Sequence, residues 1–94
     1  MSENFVLEIY ETSQFRKDLK KVKKQNKDLN KLKNIVYQLV RKNTLKPKFK
    51  DHLLKNNYKD RRECHIEPDW LLIYKITQTQ LILERTGSHS ELFE

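Results

Sequence analysis

The stretch RRECHIEPDWLLIYKITQTQLILERT, residues 61–86, decides the fold that we predict for this chain. It contains three short segments, 61–66, 70–76 and 80–86, which are rich in β-branched and aromatic residues. Two polar tripeptides separate the segments, and Pro68 in the first of them is typical of a turn. The pattern therefore predicts three consecutive strands that form an antiparallel meander.

The N-terminal half carries a different pattern. Residues 4–11, NFVLEIYE, alternate in the manner of a strand, and helical spacing of apolar residues then covers about 13–25 and about 29–42. Thr12 or Ser13 is placed to cap the first helix, and Asp28 to cap the second. Because Asn26 and its neighbours leave only a short joint between the helices, we expect an antiparallel hairpin whose apolar face covers the sheet.

These elements together predict an α+β fold. It is a small, mostly antiparallel β-sheet with an N-terminal strand and a two-helix hairpin packed on one face. Residues 43–60 show no clear period, so we expect a connecting loop there. At 94 residues, the whole chain, 1–94, is expected to form a single domain.

The charge is concentrated in one segment. The net charge is +7, and residues 13–50 hold 14 of the 20 Lys and Arg residues but only two acids, Asp18 and Asp28. Such a basic segment can dock a polyanion such as nucleic acid, although a solvated helix surface would have the same composition. The single cysteine, Cys64, rules out an intrachain disulfide. With neither a signal-peptide pattern nor an apolar run long enough to span a membrane, we expect a cytoplasmic protein without a membrane partner.

The candidate site residues fall at strand ends and in loops. His52 lies in the predicted loop, His65 and Asp69 flank the turn after the first strand of the meander, and His89 follows the only glycine, Gly87. In a strand, Arg62, Cys64 and Ile66 share one face while Glu63 and His65 share the other. Cys64 and His65 therefore cannot form a nucleophile–base pair, and Cys64 is expected to be a small core residue.

Two kinds of chemistry compete for three histidines. A zinc site is disfavoured because His52, His65 and His89 lack the usual ligand spacing, so we expect neither a metal nor another cofactor. Metal-free cleavage of RNA fits better, since it needs a base for the 2′-hydroxyl, an acid for the leaving 5′-oxygen and cations for the phosphorane. Stacking on unpaired bases is then expected of three aromatic residues, Tyr58, Trp70 and Phe93.

Three motifs carry a family resemblance that extends over essentially the whole chain. KDHLL (50–54), RECHIEPDWLLIY (62–74) and ERTGSHSELF (84–93) occur in this order behind a strand and a basic helical hairpin. The chain thereby resembles the YafQ-type branch of the RelE/ParE toxin superfamily. It departs from the family in KNNYKD (55–60), where a glycine-containing turn is usual. Because Asn and Asp tolerate left-handed backbone, Asn56, Asn57 or Asp60 could preserve that turn.

The resemblance implies an endoribonuclease toxin of a bacterial toxin–antitoxin pair that cleaves messenger RNA in the ribosomal A site. It implies that the catalytic group is His52, His65, Asp69 and His89, and that the messenger is contacted by Arg62, Trp70, Arg85 and Phe93. The expected partners are a cognate antitoxin, the ribosome and mRNA, and we expect the toxin alone to be a monomer. Two alternatives stay open: a basic nucleic-acid-binding module without catalysis, and a superfamily toxin with another target.

Overall fold

The computed structural model of the chain describes residues 6–55 and 58–93. The helices are α1 (Ser13–Lys24), α2 (Leu29–Val40) and α3 (His89–Phe93), with a 3-10 helix at Pro47–Phe49. The strands are β1 (Glu8–Glu11), β2 (His52–Leu53), β3 (Arg62–Glu67), β4 (Trp70–Ile76) and β5 (Gln80–Gly87). The order in the sheet is β1-β5-β4-β3-β2. Among the described helices, none is both long and apolar enough to cross a membrane.

The predicted meander is confirmed. β3 pairs with β4 and β4 with β5, both antiparallel, while β1 lies parallel to β5 at the edge of the sheet. The first strand is shorter than predicted: it begins at Glu8, and residues 4 and 5 of the prediction lie outside the described range. The α+β fold with a mostly antiparallel sheet is therefore the one that the sequence predicts.

The helical hairpin is also confirmed, together with its capping residues. The Thr12 side chain accepts a hydrogen bond from the Phe15 amide at 3.0 Å, and Asp28 accepts one from the Asn30 amide at 3.0 Å. Asn26 adopts the left-handed conformation, with φ 59°, directly after α1. Each cap satisfies an amide that the first turn of a helix leaves without a partner, which fixes where both helices start.

One face of the sheet packs against α1 and α2 to form the main core. The helices contribute Phe15, Val22 and Ile35, and the meander contributes alternate residues that include Cys64, Trp70, Leu72 and Leu81. The prediction that Cys64 is a core residue is confirmed, because its side chain is completely buried. Burial raises the pKa of its thiol to about 12, so the reactive thiolate is absent at neutral pH.

The prediction of a plain loop over 43–60 is wrong. This segment contains the 3-10 helix and β2, whose two residues pair with β3 through His52 with Glu63 and Leu53 with Arg62. A two-residue strand is too short to show alternation in the sequence. Of the predicted turn residues here, Asp60 is left-handed, with φ 69°, whereas Asn56 and Asn57 lie outside the described residues.

The second face of the sheet, which we call the site face, bears Glu63, His65, Leu71 and Ile73. A small apolar cluster covers part of it, formed by Leu71, Ile73 and Leu92 with Leu54 and Tyr58 packed against them. Leu92 belongs to α3, a helix that we did not predict. Its signal is SHSE, residues 88–91, a capping box in which the Ser88 amide donates to Glu91 Oε1 at 2.8 Å and the Glu91 amide donates to Ser88 Oγ at 3.2 Å.

Candidate active site

Two of the predicted histidines meet at one carboxylate on the site face. His52 Nε2 lies 3.4 Å from Glu63 Oε1, and His65 Nε2 lies 3.4 Å from Glu63 Oε2. The strand pairing explains this geometry, because His52 of β2 is directly opposite Glu63 of β3, and His65 lies two residues further along β3 on the same face. The carboxylate is 8% exposed, whereas the His52 side chain is 52% exposed and that of His65 24%.

The other nitrogen of each ring faces a backbone carbonyl. His52 Nδ1 lies 2.7 Å from the Lys50 oxygen, and His65 Nδ1 lies 3.4 Å from the Pro68 oxygen. A carbonyl only accepts hydrogen bonds, so both contacts require a proton on Nδ1. Nε2, the nitrogen beside Glu63, is then the nitrogen of each ring that the backbone does not hold.

Asp69 and His89 form the second part of the site. Asp69 Oδ1 accepts a hydrogen bond from the His89 backbone amide at 3.0 Å, so the turn between β3 and β4 is tied to the start of α3. Since the same turn supplies the Pro68 carbonyl to His65, it connects Asp69 and His89 to the pair of histidines on Glu63. The structure thus brings all four predicted catalytic residues onto one connected set of contacts.

A row of rings follows His89. Its ring centroid lies 5.0 Å from that of Phe93, and the Phe93 centroid lies 5.6 Å from that of Tyr58 in an edge-to-face arrangement. The Phe93 side chain is partly exposed, so one edge of this row is accessible to a ligand. Two of the three residues that we predicted to stack on bases, Tyr58 and Phe93, therefore adjoin the site.

The third, Trp70, does not. Its side chain is completely buried, and its Nε1 donates to Thr86 Oγ1 at 2.9 Å. Thr86 Oγ1 in turn donates to the Leu71 carbonyl at 2.8 Å. The prediction that Trp70 stacks on the messenger is wrong for this conformation, because the ring faces the core while the neighbouring Asp69 faces the site.

Both predicted phosphate-binding arginines are paired with carboxylates. Arg62 donates from Nε and Nη2 to Asp51 at 3.2 and 3.4 Å, and it lies on the strand face opposite His65, so the structure does not place it at the site. Arg85 donates from Nε to Asp18 Oδ2 at 2.7 Å and from Nη2 to Asp18 Oδ1 at 3.2 Å. Asp18 and, to a smaller extent, the Tyr58 hydroxyl raise the pKa of Arg85.

Sequence reasoning missed the roles of two acids. Glu63 was assigned to the face of His65, but the pairing with His52 depends on β2, which was not predicted. Glu91 was not singled out at all, although it caps α3 and also contacts α1 through Lys21 Nζ at 3.2 Å and Gln25 Nε2 at 3.3 Å. The capping-box spacing at 88–91 was the signal that could have revealed it.

The His, Cys, Asp and Glu side chains of the site also bear on metal binding. Within residues 6–55 and 58–93, no group of three or more His, Cys, Asp or Glu side chains has a geometry that could hold a metal ion. What the site offers is two accessible imidazoles on a shared carboxylate, a third imidazole on a capped helix, and aromatic edges, in a basic protein. This arrangement defines a class, namely a small, basic α+β protein with histidines and aromatic rings clustered at one face of its sheet.

Comparison with known proteins identifies the family. The sequence profile described as "Bacterial toxin of type II toxin-antitoxin system, YafQ" matches residues 7–94. The mRNA interferase toxin YafQ of Escherichia coli strain B / BL21-DE3 is 46% identical over 83 residues, which cover 87% of this chain and 90% of that protein. The crystal structure of YafQ from that strain matches with a TM-score of 0.89 and covers 94% of this chain and 99% of that one. The protein described here belongs to the YafQ family of toxins of bacterial type II toxin–antitoxin systems.

Two further structures resemble this one. YafQ in the E. coli DinJ–YafQ complex matches at a TM-score of 0.87 and 44% identity, covering 94% of this chain and 99% of that one. A metal-bound toxin from Helicobacter pylori matches at a TM-score of 0.87 and 48% identity, covering 93% and 99%. The predicted family and fold are thereby confirmed.

Proposed function

We propose that this protein is an mRNA interferase that cuts messenger RNA in the ribosomal A site, that it acts in the cytoplasm, and that a cognate antitoxin holds it inactive. The observation that carries the proposal is the convergence of His52 and His65 on Glu63, with Asp69 and His89 beside them. Relatives that cover nearly the whole chain bear the name mRNA interferase toxin, and one of them is seen in complex with DinJ.

The reaction is an internal transfer of the phosphoryl group. A base removes the proton from a ribose 2′-hydroxyl, whose oxygen attacks the adjacent phosphorus. The bond from phosphorus to the 5′-oxygen then breaks, and an acid delivers a proton to that oxygen. The products are a 2′,3′-cyclic phosphate and a 5′-hydroxyl end. His52 and His65 act as this base and acid, in an order that we leave open, while Asp69 and His89 orient the substrate or share in proton transfer.

The rings of Tyr58 and Phe93 provide a place for an unpaired base. Stacking of a base on an aromatic side chain contributes about 1–3 kcal/mol, which suits positioning of a codon nucleotide beside the histidines. As the family resemblance implies, Arg85 would contribute positive charge that favours the phosphorane. The exposed lysines of the basic segment 13–50 would contact ribosomal RNA, and that association should weaken steeply as salt rises.

The test is cleavage of a defined messenger on programmed ribosomes. Wild-type protein is compared with His65→Ala and His89→Ala, and the new ends are mapped and analysed chemically. Cuts within the A-site codon that leave 2′,3′-cyclic phosphate and 5′-hydroxyl ends, and that both substitutions abolish, are the expected result. Stable ribosome binding without cuts would instead support the non-catalytic module, and 5′-phosphate ends would refute internal transfer.

Two controls make the test specific. A messenger with a 2′-deoxyribose at the scissile nucleotide lacks the attacking group and should stay intact. Ribosomes need Mg²⁺, so the role of other metals is tested by adding 1,10-phenanthroline, which binds transition metals and leaves Mg²⁺ in solution. Undiminished cleavage is expected in its presence, and loss of cleavage that zinc or copper restores would contradict the metal-free mechanism.

A further inference from the structure

We propose that Glu63 is a positioning residue that holds one imidazole as the acid and leaves the other as the base. This inference rests on the function proposed above and names a residue that the motif resemblance did not assign. It starts from the contacts of the carboxylate, which has His52 Nε2 at 3.4 Å from one oxygen and His65 Nε2 at 3.4 Å from the other.

The position of Glu63 is fixed by its surroundings. It lies inside β3, between β2 and β4, where its Cα pairs with His52 on one side and with Ile73 on the other. With only 8% of its side chain exposed, it cannot exchange freely with water, and a buried carboxylate is stabilised by donors that face it. Among the described residues, the ion-pair partners of this carboxylate are the two histidines.

The backbone fixes the remaining nitrogen of each ring. The Lys50 and Pro68 carbonyls accept from Nδ1 of His52 and His65, so neither ring can turn over without losing that hydrogen bond. Lys50 itself is held in the left-handed conformation, with φ 49°, at the end of the 3-10 helix. Each ring therefore keeps Nδ1 protonated and presents Nε2 towards Glu63.

Charge balance then separates the roles. One carboxylate neutralises one imidazolium, so the pair of rings is favoured with a single proton on the two Nε2 atoms, whereas a second proton would add an uncompensated positive charge. The ring that holds the proton on Nε2 is stabilised by the charge of Glu63 and, as the acid, delivers that proton to the leaving 5′-oxygen. The other ring has a lone pair on Nε2 and can act as the base, so one carboxylate prepares both catalysts at once.

The experiment uses full-length protein with Glu63→Gln, which keeps the size of the side chain and removes its charge, and Glu63→Asp, which keeps the charge. We expect Glu63→Gln to lower the single-turnover cleavage rate on saturated ribosomes by roughly 10- to 100-fold, as loss of a residue that orients a functional histidine commonly does. Ribosome affinity should stay within about twofold, since only 8% of the Glu63 side chain is exposed, and Glu63→Asp should recover part of the rate.

Glu84→Gln is the matched control. Glu84 is also a mostly buried carboxylate of the sheet, but its partner is Arg61 Nε at 3.2 Å rather than a histidine. Its substitution should reduce the melting temperature without a selective loss of the cleavage step. A Glu84→Gln variant that lost as much cleavage rate as Glu63→Gln would show that any missing sheet carboxylate has this effect and would overturn the proposal.

A spectroscopic readout separates positioning from simple stabilisation. Long-range ¹H–¹⁵N spectra of the free protein report the protonation of both nitrogens in each histidine ring. In wild type we expect His52 and His65 to titrate as a coupled pair, and in Glu63→Gln each should titrate alone. Independent titration already in wild type, or unchanged cleavage by Glu63→Gln, would overturn the proposal. If Glu63→Gln does not fold, Glu63→Asp decides, because its shorter side chain holds the carboxylate further from the two rings. A cleavage rate below that of wild type supports the proposal, and a rate and a coupling equal to those of wild type would overturn it.

Failure of the role proposed for Glu63 can be distinguished from failure of the proposed function. His65→Ala is measured in the same assay. Full cleavage by His65→Ala would contradict the site itself, whereas loss of cleavage in His65→Ala with a normal rate in Glu63→Gln would refute the role of Glu63 alone.

Discussion

Substitution of Thr86 by Val tests the role that the structure assigns to Trp70. Val has nearly the shape of Thr but lacks the hydroxyl, so Trp70 Nε1 loses its acceptor at 2.9 Å and the Leu71 carbonyl loses its donor at 2.8 Å. Trp70 is 0% exposed and Thr86 2%, so no water replaces the lost partner. An unsatisfied buried donor costs about 1–3 kcal/mol, and the lost bond to the carbonyl adds about 1 kcal/mol. We expect Thr86→Val to lower the free energy of unfolding by about 2–4 kcal/mol.

The assay is urea unfolding followed by circular dichroism, with a double-mutant cycle. At an m-value of about 1–2 kcal/mol/M, the urea midpoint of Thr86→Val should fall by roughly 1–4 M. Trp70→Phe removes the indole N–H, so the combination with Thr86→Val should cost less than the sum of the two changes. A shift below about 0.5 kcal/mol for Thr86→Val, with Trp70→Phe losing RNA binding but no stability, would refute the buried role and restore the stacking role.

Three further predictions concern other parts of the molecule. In Gly87→Ala, the added Cβ would lie 2.9 Å from Glu91 Oε1 and disturb the capping box of α3. The cleavage rate should therefore fall even at temperatures where the melting curve shows that the variant is folded. A cleavage rate that falls only in proportion to the unfolded fraction would contradict this. Hydrogen bonding from the Ser88 amide, helped by Lys21, lowers the pKa of Glu91 to about 2, so its stabilisation is complete above about pH 4.5 and is lost as pH falls to about 2. Urea midpoints measured between pH 5 and 2.5 should therefore fall more in wild type than in Glu91→Gln, and parallel curves would contradict the assignment. Burial raises the pKa of the Cys64 thiol to about 12, so Ellman's reagent at pH 8 should react only as fast as the protein unfolds; rapid labelling in the native state would show an accessible thiol.

Local patterns account for most of the fold that could be predicted. The meander follows from alternation within 61–86, because each strand is long enough to show its period. The hairpin follows from apolar spacing and from caps such as Thr12 and Asp28, whose hydrogen bonds reach only two or three residues along the chain. These features depend on neighbours in sequence and can therefore be read without tertiary information.

The two elements that were not predicted, β2 and α3, depend instead on residues that are distant in sequence. β2 has two residues and exists because Glu63 and Arg62 pair with it, while α3 has five residues and depends on Asp69 and on its contacts with α1. Elements this short have too few positions to show a period, and an isolated short helix is not stable in water. Their stability comes from packing and from hydrogen bonds to distant residues.

The features of the candidate site likewise fall into those that the sequence determines and those that the tertiary structure determines. The sequence by itself determined the residue types available for acid–base chemistry, the faces of β3 and the basic character of the chain, because composition and strand alternation are local properties. Only the tertiary structure decided that His52 and His65 share Glu63, that Trp70 is buried on Thr86, and that Arg62 and Arg85 are held by Asp51 and Asp18. Apart from the pair Glu63 and His65, which are neighbours on one face of β3, these contacts join residues whose separation along the chain carries no information about their distance in space, so they are set by how the strands and helices pack.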